Sequence, residues 1–305
     1  MANPLVDKDF VRLLDDRLEK VYTDTHKSLP SVIDQFFGRV KSSKAWLEYF
    51  TVGSIPDPEE FNGTIQYQGV SPGYHVKIEP KEYAGGIVIQ RRLLDTDRYD
   101  IIEGRAKELG RAANRKMNKI AHEPFIYHDS TAFTYLSHEA GEALCANTHA
   151  SKSGLRSDGY DNLSTLPFNA ANLEALRILG VGFKDDIGER MVTNFDTIIH
   201  GTNLAEEVWE VMKSEGKVDE MTNNANFQRG RWKSIEIPLL DDYDTNDWFI
   251  VDSNAMKENL KWIDGVPLEF NSTTDFDTMM RKYADYFVIG WGWIDWPFIV
   301  GSSVA

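Results

Sequence analysis

The chain has 305 residues, 42% of them apolar and 12% aromatic, enough for one large or two ordinary domains with real cores and too apolar for a disordered chain. Its 33 basic and 48 acidic residues leave a net charge of -15, which repels phosphates and argues against a dedicated nucleic-acid reader. The single cysteine, Cys145, excludes an internal disulfide and a multi-cysteine metal site, and no apolar run approaches the ~18 residues of a membrane span.

The amino end, with Asp7, Lys8 and Asp9 behind Met1, lacks the apolar region of a signal peptide, so a cytosolic chain is expected. The Asn-x-Ser/Thr matches at Asn62, Asn162 and Asn271 carry no weight without a secretory route. Val6, Phe10, Leu13, Leu14, Leu18 and Val21 recur at three- and four-residue steps and predict a helix with one buried face. After Pro30, a second run with Val32, Ile33, Phe36, Phe37, Val40, Leu47 and Phe50 is read as another amphipathic helix, ending where Gly53, Pro56 and Pro58 break the pattern. Two helices in line suit an arm better than a closed core.

Between about 63 and 94 the period becomes two, with Ile65 and Tyr67 before a Ser71-Pro72-Gly73 turn, then Tyr74, Val76 and Ile78, then Ile87 and Ile89. A long β-hairpin loop is expected, marginal alone because its polar alternates leave both faces exposed. From Asp97 to Ile120 the set Ile102, Ala106, Leu109, Ala113, Met117 and Ile120 predicts a helix of roughly six turns. Its other faces carry Arg98, Arg105, Lys107, Arg111, Arg115, Lys116 and Lys119, a basic rod in an acidic protein, and Pro124 is expected to end it.

Residues 127–164 are rich in His, Ser, Gly, Asp and Asn and read as loop. A helix follows near 169–179, a strand at 191–200, and a helix on Leu204, Val208, Val211 and Met212 that Thr202 or Asn203 would cap. A mobile loop is expected at 216–230. Ile235 and Ile237 alternate, and Trp248 to Val251 suits a buried strand. A last helix near 276–286 leads into a strand-like finish of Phe287, Ile289, Trp291, Trp293 and Trp296. Mixed helix and strand without regular βαβ alternation gives an α+β class.

Four chemical motifs compete with structural readings. Gly69-Val70-Ser71-Pro72-Gly73 fits the nucleophile elbow of serine hydrolases, but Pro72 has no N–H to donate to an oxyanion and the following residues continue as strand, so a hairpin turn is favoured. His138, Glu139, Glu142 and His149 could gather around a transition metal, yet position 142 is not the second histidine of a zinc-binding helix, and a structural loop is preferred. Asp242-Tyr243-Asp244-Thr245-Asn246 begins like a calcium loop, but Asp247 replaces its glycine and Ser253 its bidentate glutamate. Gly180-Val181-Gly182 follows a helix and lacks the third glycine of a dinucleotide loop. The basic rod is read as pairing with acidic surfaces of neighbouring subunits ahead of contacting nucleic acid. Trp209, Trp232, Trp248, Trp262, Trp291, Trp293 and Trp296 are expected mainly as core anchors, some as subunit-contact anchors.

The order of elements resembles the major capsid proteins of tailed bacteriophages, and the motifs of the second half resemble the Mu-like major head subunit family. Leu144-Cys145-Ala146-Asn147-Thr148-His149-Ala150-Ser151 is similar to that family's "Leu-Cys-Ala-Asn-His-Pro-Ser", with Thr148 inserted and Ala150 in place of proline. A Gly-rich stretch, Ser153 to Gly159, and Asn162-Leu163-Ser164 follow it. Phe195-Asp196-Thr197-Ile198-Ile199 before the Leu204 helix, and Pro238-Leu239-Leu240 through Trp248-Phe249-Ile250-Val251-Asp252, resemble family strands. Gly290-Trp291-Gly292-Trp293-Ile294-Asp295-Trp296 resembles the closing "Gly-Trp-x-Asp-Trp-Arg", with Pro297 where arginine is usual.

The resemblance implies a Hong Kong-97-type capsid fold. Residues 1–50 would be an N-terminal helical arm, 51–95 an extended loop, 96–129 a peripheral domain on the spine helix, 130–260 an axial domain, and 261–305 the return to the peripheral domain. It implies a structural, non-enzymatic subunit without cofactor or metal. Such a subunit assembles in the host cytoplasm with copies of itself, as hexameric and pentameric capsomers, into the icosahedral shell of the virion around double-stranded DNA, which it touches weakly and without sequence preference. Scaffolding protein or a maturation protease, a portal and head accessory proteins would be partners, and no membrane. Expected contact residues are Phe10, Leu14, Phe36, Phe37, Ile65, Tyr67, Tyr74, Val76, Arg105, Arg111 and Arg115, since apolar stripes that a monomer leaves uncovered signal a partner surface. Self-repulsion of -15 per subunit predicts slower or weaker assembly at low salt. The alternatives are an encapsulin-like nanocompartment shell, a virion accessory protein, and a metal-dependent hydrolase using His138, Glu142 and His149.

Overall fold

The computed structural model describes residues 7–58, 60–65, 67, 69–95, 99–131, 141–149, 161–217 and 224–304. Helix α1 (Asp7–Ser28) and a four-residue helix α2 (Ile33–Phe36) are followed by strands β1 (Gly38–Lys41), β2 (Leu47–Val52), β3 (Pro72–Ile78) and β4 (Lys81–Ile89). A short α3 (Arg91–Asp95) precedes the long helix α4 (Tyr99–Ile126). The second half carries β5 (Leu163–Ser164), α5 (Ala170–Val181), β6 (Thr197–His200), α6 (Ala205–Lys213), β7 (Lys233–Glu236), β8 (Trp248–Val251), α7 (Ser253–Asn259), β9 (Leu260–Thr274), β10 (Arg281–Trp293) and β11 (Ile299–Ser302).

Three sheets result. One has the order β1-β9-β10-β4, with β1 parallel to β9 and the other pairs antiparallel. A five-stranded sheet runs β5-β11-β8-β6-β7, and β2 pairs with β3 alone. Every residue of β6, β8 and β11 is buried, which explains why Trp248 to Val251 is apolar without alternation. The main core joins both larger sheets through Phe36, Phe125, Phe249, Trp262, Trp291 and Trp293.

Several sequence expectations are corrected. The second amphipathic run is no helix beyond α2: Val40 lies in β1 and Leu47 to Phe50 in β2. Phe36 and Phe37 are core residues, Phe36 packing 4.9 Å from Phe125 and Phe37 5.4 Å from Trp262, so they are removed from any contact surface. They turn inward because β1 adds to β9 and draws the preceding residues onto the body. Pro124 lies inside α4, which runs two residues further; the fully buried Phe125 holds those residues down, and packing outweighs the one hydrogen bond that proline cannot donate. The strand expected at 191–200 forms only at 197–200.

No helix forms at 276–286. Asp275 accepts from the backbone N–H of Asp277 (3.1 Å) and Thr278 (3.2 Å), and Met279 turns with φ 53°. From Arg281 the chain is strand, with Tyr283, Asp285, Phe287 and Ile289 facing inward at a period of two. Neither Thr202 nor Asn203 caps α6: a 3-10 turn at Thr202–Leu204 precedes it, and the Asp241 carboxylate accepts from Asn203 N–H at 3.2 Å instead. Within the expected loop at 216–230, Asn226 is fixed, its Nδ2 donating to the carbonyls of Val211 (2.6 Å) and Ser214 (3.1 Å). It thereby satisfies carbonyls that the end of α6 leaves open.

Candidate assembly surfaces

Leu14, Leu18 and Tyr22 recur every four residues along α1 and form one stripe. Leu18 and Tyr22 are fully buried, and Leu18 shares a cluster with Ile102 and Ala106 of α4, Ile89 of β4 and Tyr283 of β10, with Leu14 packed against it. The two helices close on each other because Gly110 has no side chain; a Cβ there would stand 3.1 Å from the carbonyl oxygen of Tyr22. Tyr22 Oη donates to the buried Asp285 at 3.1 Å, and its ring stacks on Phe270 at 4.8 Å. Burial and the Asp285 carboxylate both push the Tyr22 phenol far above its ordinary range, so it stays a donor. Asp15 accepts from Tyr283 Oη (3.0 Å) and pairs with Arg281. The apolar stripe of α1 thus rests on its own chain, where an arm reaching over adjacent subunits was expected. Phe10 lies outside the described side chains.

The β2–β3 ribbon is different. Its inner face, Val76 and Ile78 with Leu47 and Tyr49 against them, sits on Ile263 of β9. Val76 is therefore an anchor and not a contact residue. Glycines make the seat: a Cβ at Gly292 would lie 2.7 Å from Ile78, and one at Gly290 2.8 Å from Pro80. Because strand side chains alternate, these glycines share one face of β10 while Trp291 and Trp293 fill the core from the other. The Gly-Trp-Gly-Trp motif is thereby accounted for.

The outer face of the ribbon carries Trp46, Phe50 and Val52, all exposed, and the connection between the strands carries exposed Ile55, Phe61, Ile65, Tyr67 and Val70; Tyr67 is 91% accessible. Ile65 and Tyr67 belong to this connection and to no strand, and Ser71-Pro72-Gly73 is its return, where Ser71 O accepts from Gly53 N–H at 2.8 Å, so the hairpin turn expected there is corrected too. The base is pinned by Asp186, which accepts from Ser54 N–H at 2.9 Å. Beyond it a row of large apolar side chains faces water, which in a soluble chain marks a partner surface. Tyr74 is half-buried. The alternation of Trp46, Glu48, Phe50 and Val52 against Leu47 and Tyr49 is the signal that a helical reading of Leu47 and Phe50 hid.

Arg105, Arg111 and Arg115 are exposed on α4. Arg111 pairs with Glu108 at 2.5 Å, while Arg115 has no acidic partner among the described residues. Trp209 is an exception among the tryptophans expected as core, standing 63% exposed on α6.

The motif residues of the second half are joined structurally. Asn162 donates to the carbonyls of Leu144 (2.9 Å) and Ile299 (3.2 Å), accepts from Ala146 N–H (2.8 Å), and lies 2.9 Å from His149 Nε2. The His149 ring stacks on Trp296 at 4.2 Å, with the planes 6° apart. A Cβ at Gly301 would meet the Cys145 sulfur at 2.9 Å, and burial pushes that thiol strongly upward, which leaves it a packing group. Asp252 caps α7 through Asn254 and Ala255 N–H and also accepts from Asn194 N–H at 2.8 Å. Among the described residues no three potential ligands gather around a metal position; His138 and Glu139 lie outside them.

A sequence profile for phage capsid proteins matches residues 74–301. Among curated proteins nothing matches. The procapsid of bacteriophage JBD30 is similar at 13% identity, with 98% of this chain and 77% of that one covered at a TM-score of 0.54. The mature capsid of bacteriophage PhiM1 is 14% identical over 91% of this chain and 88% of that one, TM-score 0.58. A virus-like particle from Pyrococcus furiosus is 11% identical over 94% and 98%, TM-score 0.51.

Proposed function

Because this chain belongs to the phage capsid protein family, a structural family of the virion, we propose that it is the major head subunit of a tailed phage or prophage of the Mu-like type. It self-associates as hexamers and pentamers into an icosahedral shell around double-stranded DNA. In this reading α1, α4, β4, β9 and β10 build the peripheral domain, and the five-stranded sheet with α5 and α6 the axial domain around each capsomer centre. The ribbon and its 53–71 connection reach over an adjacent subunit. Scaffolding protein or a protease, a portal and head accessory proteins complete the head.

One observation carries the reading: the row Phe50, Val52, Ile55, Phe61, Ile65 and Tyr67 is apolar and exposed, on a ribbon whose inner face is packed against the body. A monomer gains nothing by exposing these side chains, whereas copies that cover one another's rows recover about 1.5–3 kcal/mol for each large side chain fully buried. Repeated around a closed symmetry, such contacts stabilise a shell whose subunits share no single large core.

The test is expression of the chain with its genomic neighbours, followed by sedimentation and electron microscopy. Closed icosahedral particles with nuclease-protected DNA are expected. Particles that hold a protein cargo and no genome would move the assignment to a nanocompartment, and a chain that stays monomeric at every salt concentration would end it.

A further inference from the structure

Strand β7 lies at the edge of the five-stranded sheet and runs parallel to β6, with Ser234 opposite Ile198 and Glu236 opposite His200. Residues two apart along a strand share a face, so Ser234 and His200 stand diagonally across one face of the pair. Ser234 is exposed, whereas His200 is buried. The Ser234 Oγ lies 2.7 Å from His200 Nε2, and His200 Nδ1 lies 2.6 Å from the carbonyl oxygen of Gly201. A carbonyl oxygen can only accept, so Nδ1 carries the ring hydrogen and Nε2 keeps its lone pair. The Ser234 hydroxyl therefore donates to Nε2, and it has no other partner among the described residues.

The surroundings of the ring are fixed. His200 O accepts from Ile237 N–H at 2.9 Å, and a Cβ at Gly201 would run into the Asp241 carboxylate, so the carbonyl that orients the ring is held in place. Burial lowers the His200 pKa, and the carboxylates of Glu236 and Asp241 pull it partway back. The ring is thus neutral at pH 7 and is favoured by two nearby negative charges once it takes up a proton. Glu236 is positioned by Thr202 Oγ1, which donates to it at 2.7 Å, and Asp241 by Asn203 N–H at 3.2 Å. The nearest cation along β7, Lys233, pairs with Asp196 instead. A hydroxyl bonded to a base, with the base locked in one tautomer by a third group, is the arrangement that activates a serine; here a backbone carbonyl takes the place of the orienting carboxylate.

We propose that Ser234 is an activated nucleophile with His200 as its general base, and that it accepts an acyl group from activated esters and thioesters. Ser234 Oγ attacks the acyl carbon while its proton passes to His200 Nε2. The new Oγ–C bond replaces the C–O or C–S bond of the donor, and the departing alkoxide or thiolate takes the proton from His200. An ester on the exposed edge strand is the product. The pair lies within one chain and needs no second copy.

The test treats the unassembled full-length chain with p-nitrophenyl acetate and follows acetylation of each serine by peptide mapping and mass spectrometry. Ser234 is expected to react at least about 100-fold faster than Ser31 and Ser43, which are also exposed, the advantage a positioned base typically confers. Its rate should stay level between pH 7 and pH 8.5, because the neutral ring is already fully available there. An unassisted hydroxyl reacts through its alkoxide and speeds up about tenfold per pH unit. His200→Gln, checked for folding by circular dichroism, should bring Ser234 down to the rate of the other two serines. The pH profile of the unsubstituted chain decides the matter if that variant does not fold. Acetylation of Ser234 no faster than that of Ser31 and Ser43, a rate climbing about tenfold per pH unit, or an undiminished rate in folded His200→Gln reduces the contact to a structural hydrogen bond and overturns the assignment. The capsid role stands in every case.

Discussion

Along α1, Leu14, Leu18 and Tyr22 recur at helical spacing and are covered by the chain's own α4 and β10; along β2 and the 53–71 connection, Phe50, Val52, Ile55, Phe61 and Tyr67 are as apolar and face water. Hydrophobicity does not separate the two regions. What separates them is the surface on offer nearby. The α1 stripe meets small side chains, Ala106 and Gly110, at which a helix fits closely, and finds Asp285 placed to accept from its Tyr22 and Tyr283 placed to donate to its Asp15. The ribbon spends its inner face on Ile263, and among the described residues no second sheet covers its outer face. An uncovered stripe in sequence is therefore weak evidence for a partner until the fold shows that nothing inside the chain accepts it.

The strongest way to break this contrast is to spoil the covered region. Leu18→Asp buries an unpaired carboxylate between α1 and α4 and is expected to cost more than about 4 kcal/mol in denaturant unfolding of the unassembled subunit. A loss under about 1 kcal/mol would mean that α1 leaves its seat in solution, returning it to the role of a free arm. Asn162→Ala comes next. It strands the carbonyls of Leu144 and Ile299 and the N–H of Ala146, with an expected loss of about 3 kcal/mol or more.

The third expectation concerns pH. Burial lowers the His122 pKa from 6.5 to about 4. Above pH 6.5 the ring is neutral in both folded and unfolded chains and costs nothing. As pH falls from 6.5 toward 4, the unfolded chain takes up a proton that the folded one refuses, so stability drops, by up to about 3 kcal/mol once both forms are protonated. His122→Gln should flatten the stability profile in that window and leave it unchanged at pH 7.5. Burial raises the neighbouring Glu123 in the opposite sense, and comparing variant with parent removes its contribution.

The second half of the fold was readable because its strands and helices are amphipathic or wholly apolar in the proportions their burial requires. Asn169 caps α5 by accepting from Asn172 N–H at 2.7 Å, and β8 is buried throughout. The motif residues Asn162, Asp252, Gly290 and Gly292 prove to be joints between segments, so family likeness reported fold before it reported any site. The helix expected near 276–286 does not form, because the alternation that governs β10 starts at Arg281 and runs through those positions. Of the residues expected at contacts, Ile65, Tyr67 and the α4 arginines are exposed, whereas Phe36, Phe37 and Val76 are buried, because one-dimensional periodicity marks a face without saying what lies against it.

The smallest expected effect on the subunit is also the sharpest test of the contrast. Phe50→Ser and Tyr67→Ser remove side chains that water already surrounds in the single chain, although Phe50 does stack on His75 at 5.3 Å. Each is therefore expected to change unfolding free energy by less than about 0.5 kcal/mol. If the outer face is covered only in the assembly, the same substitutions should raise the protein concentration needed for shell formation, because each copy loses about 1.5–3 kcal/mol of burial at every contact, and each 1.4 kcal/mol is tenfold in an association constant. Light scattering of assembly against concentration, beside denaturant unfolding of the unassembled subunit, separates the two quantities. A large loss of subunit stability with assembly unchanged would place the ribbon with α1 among the regions this chain covers for itself.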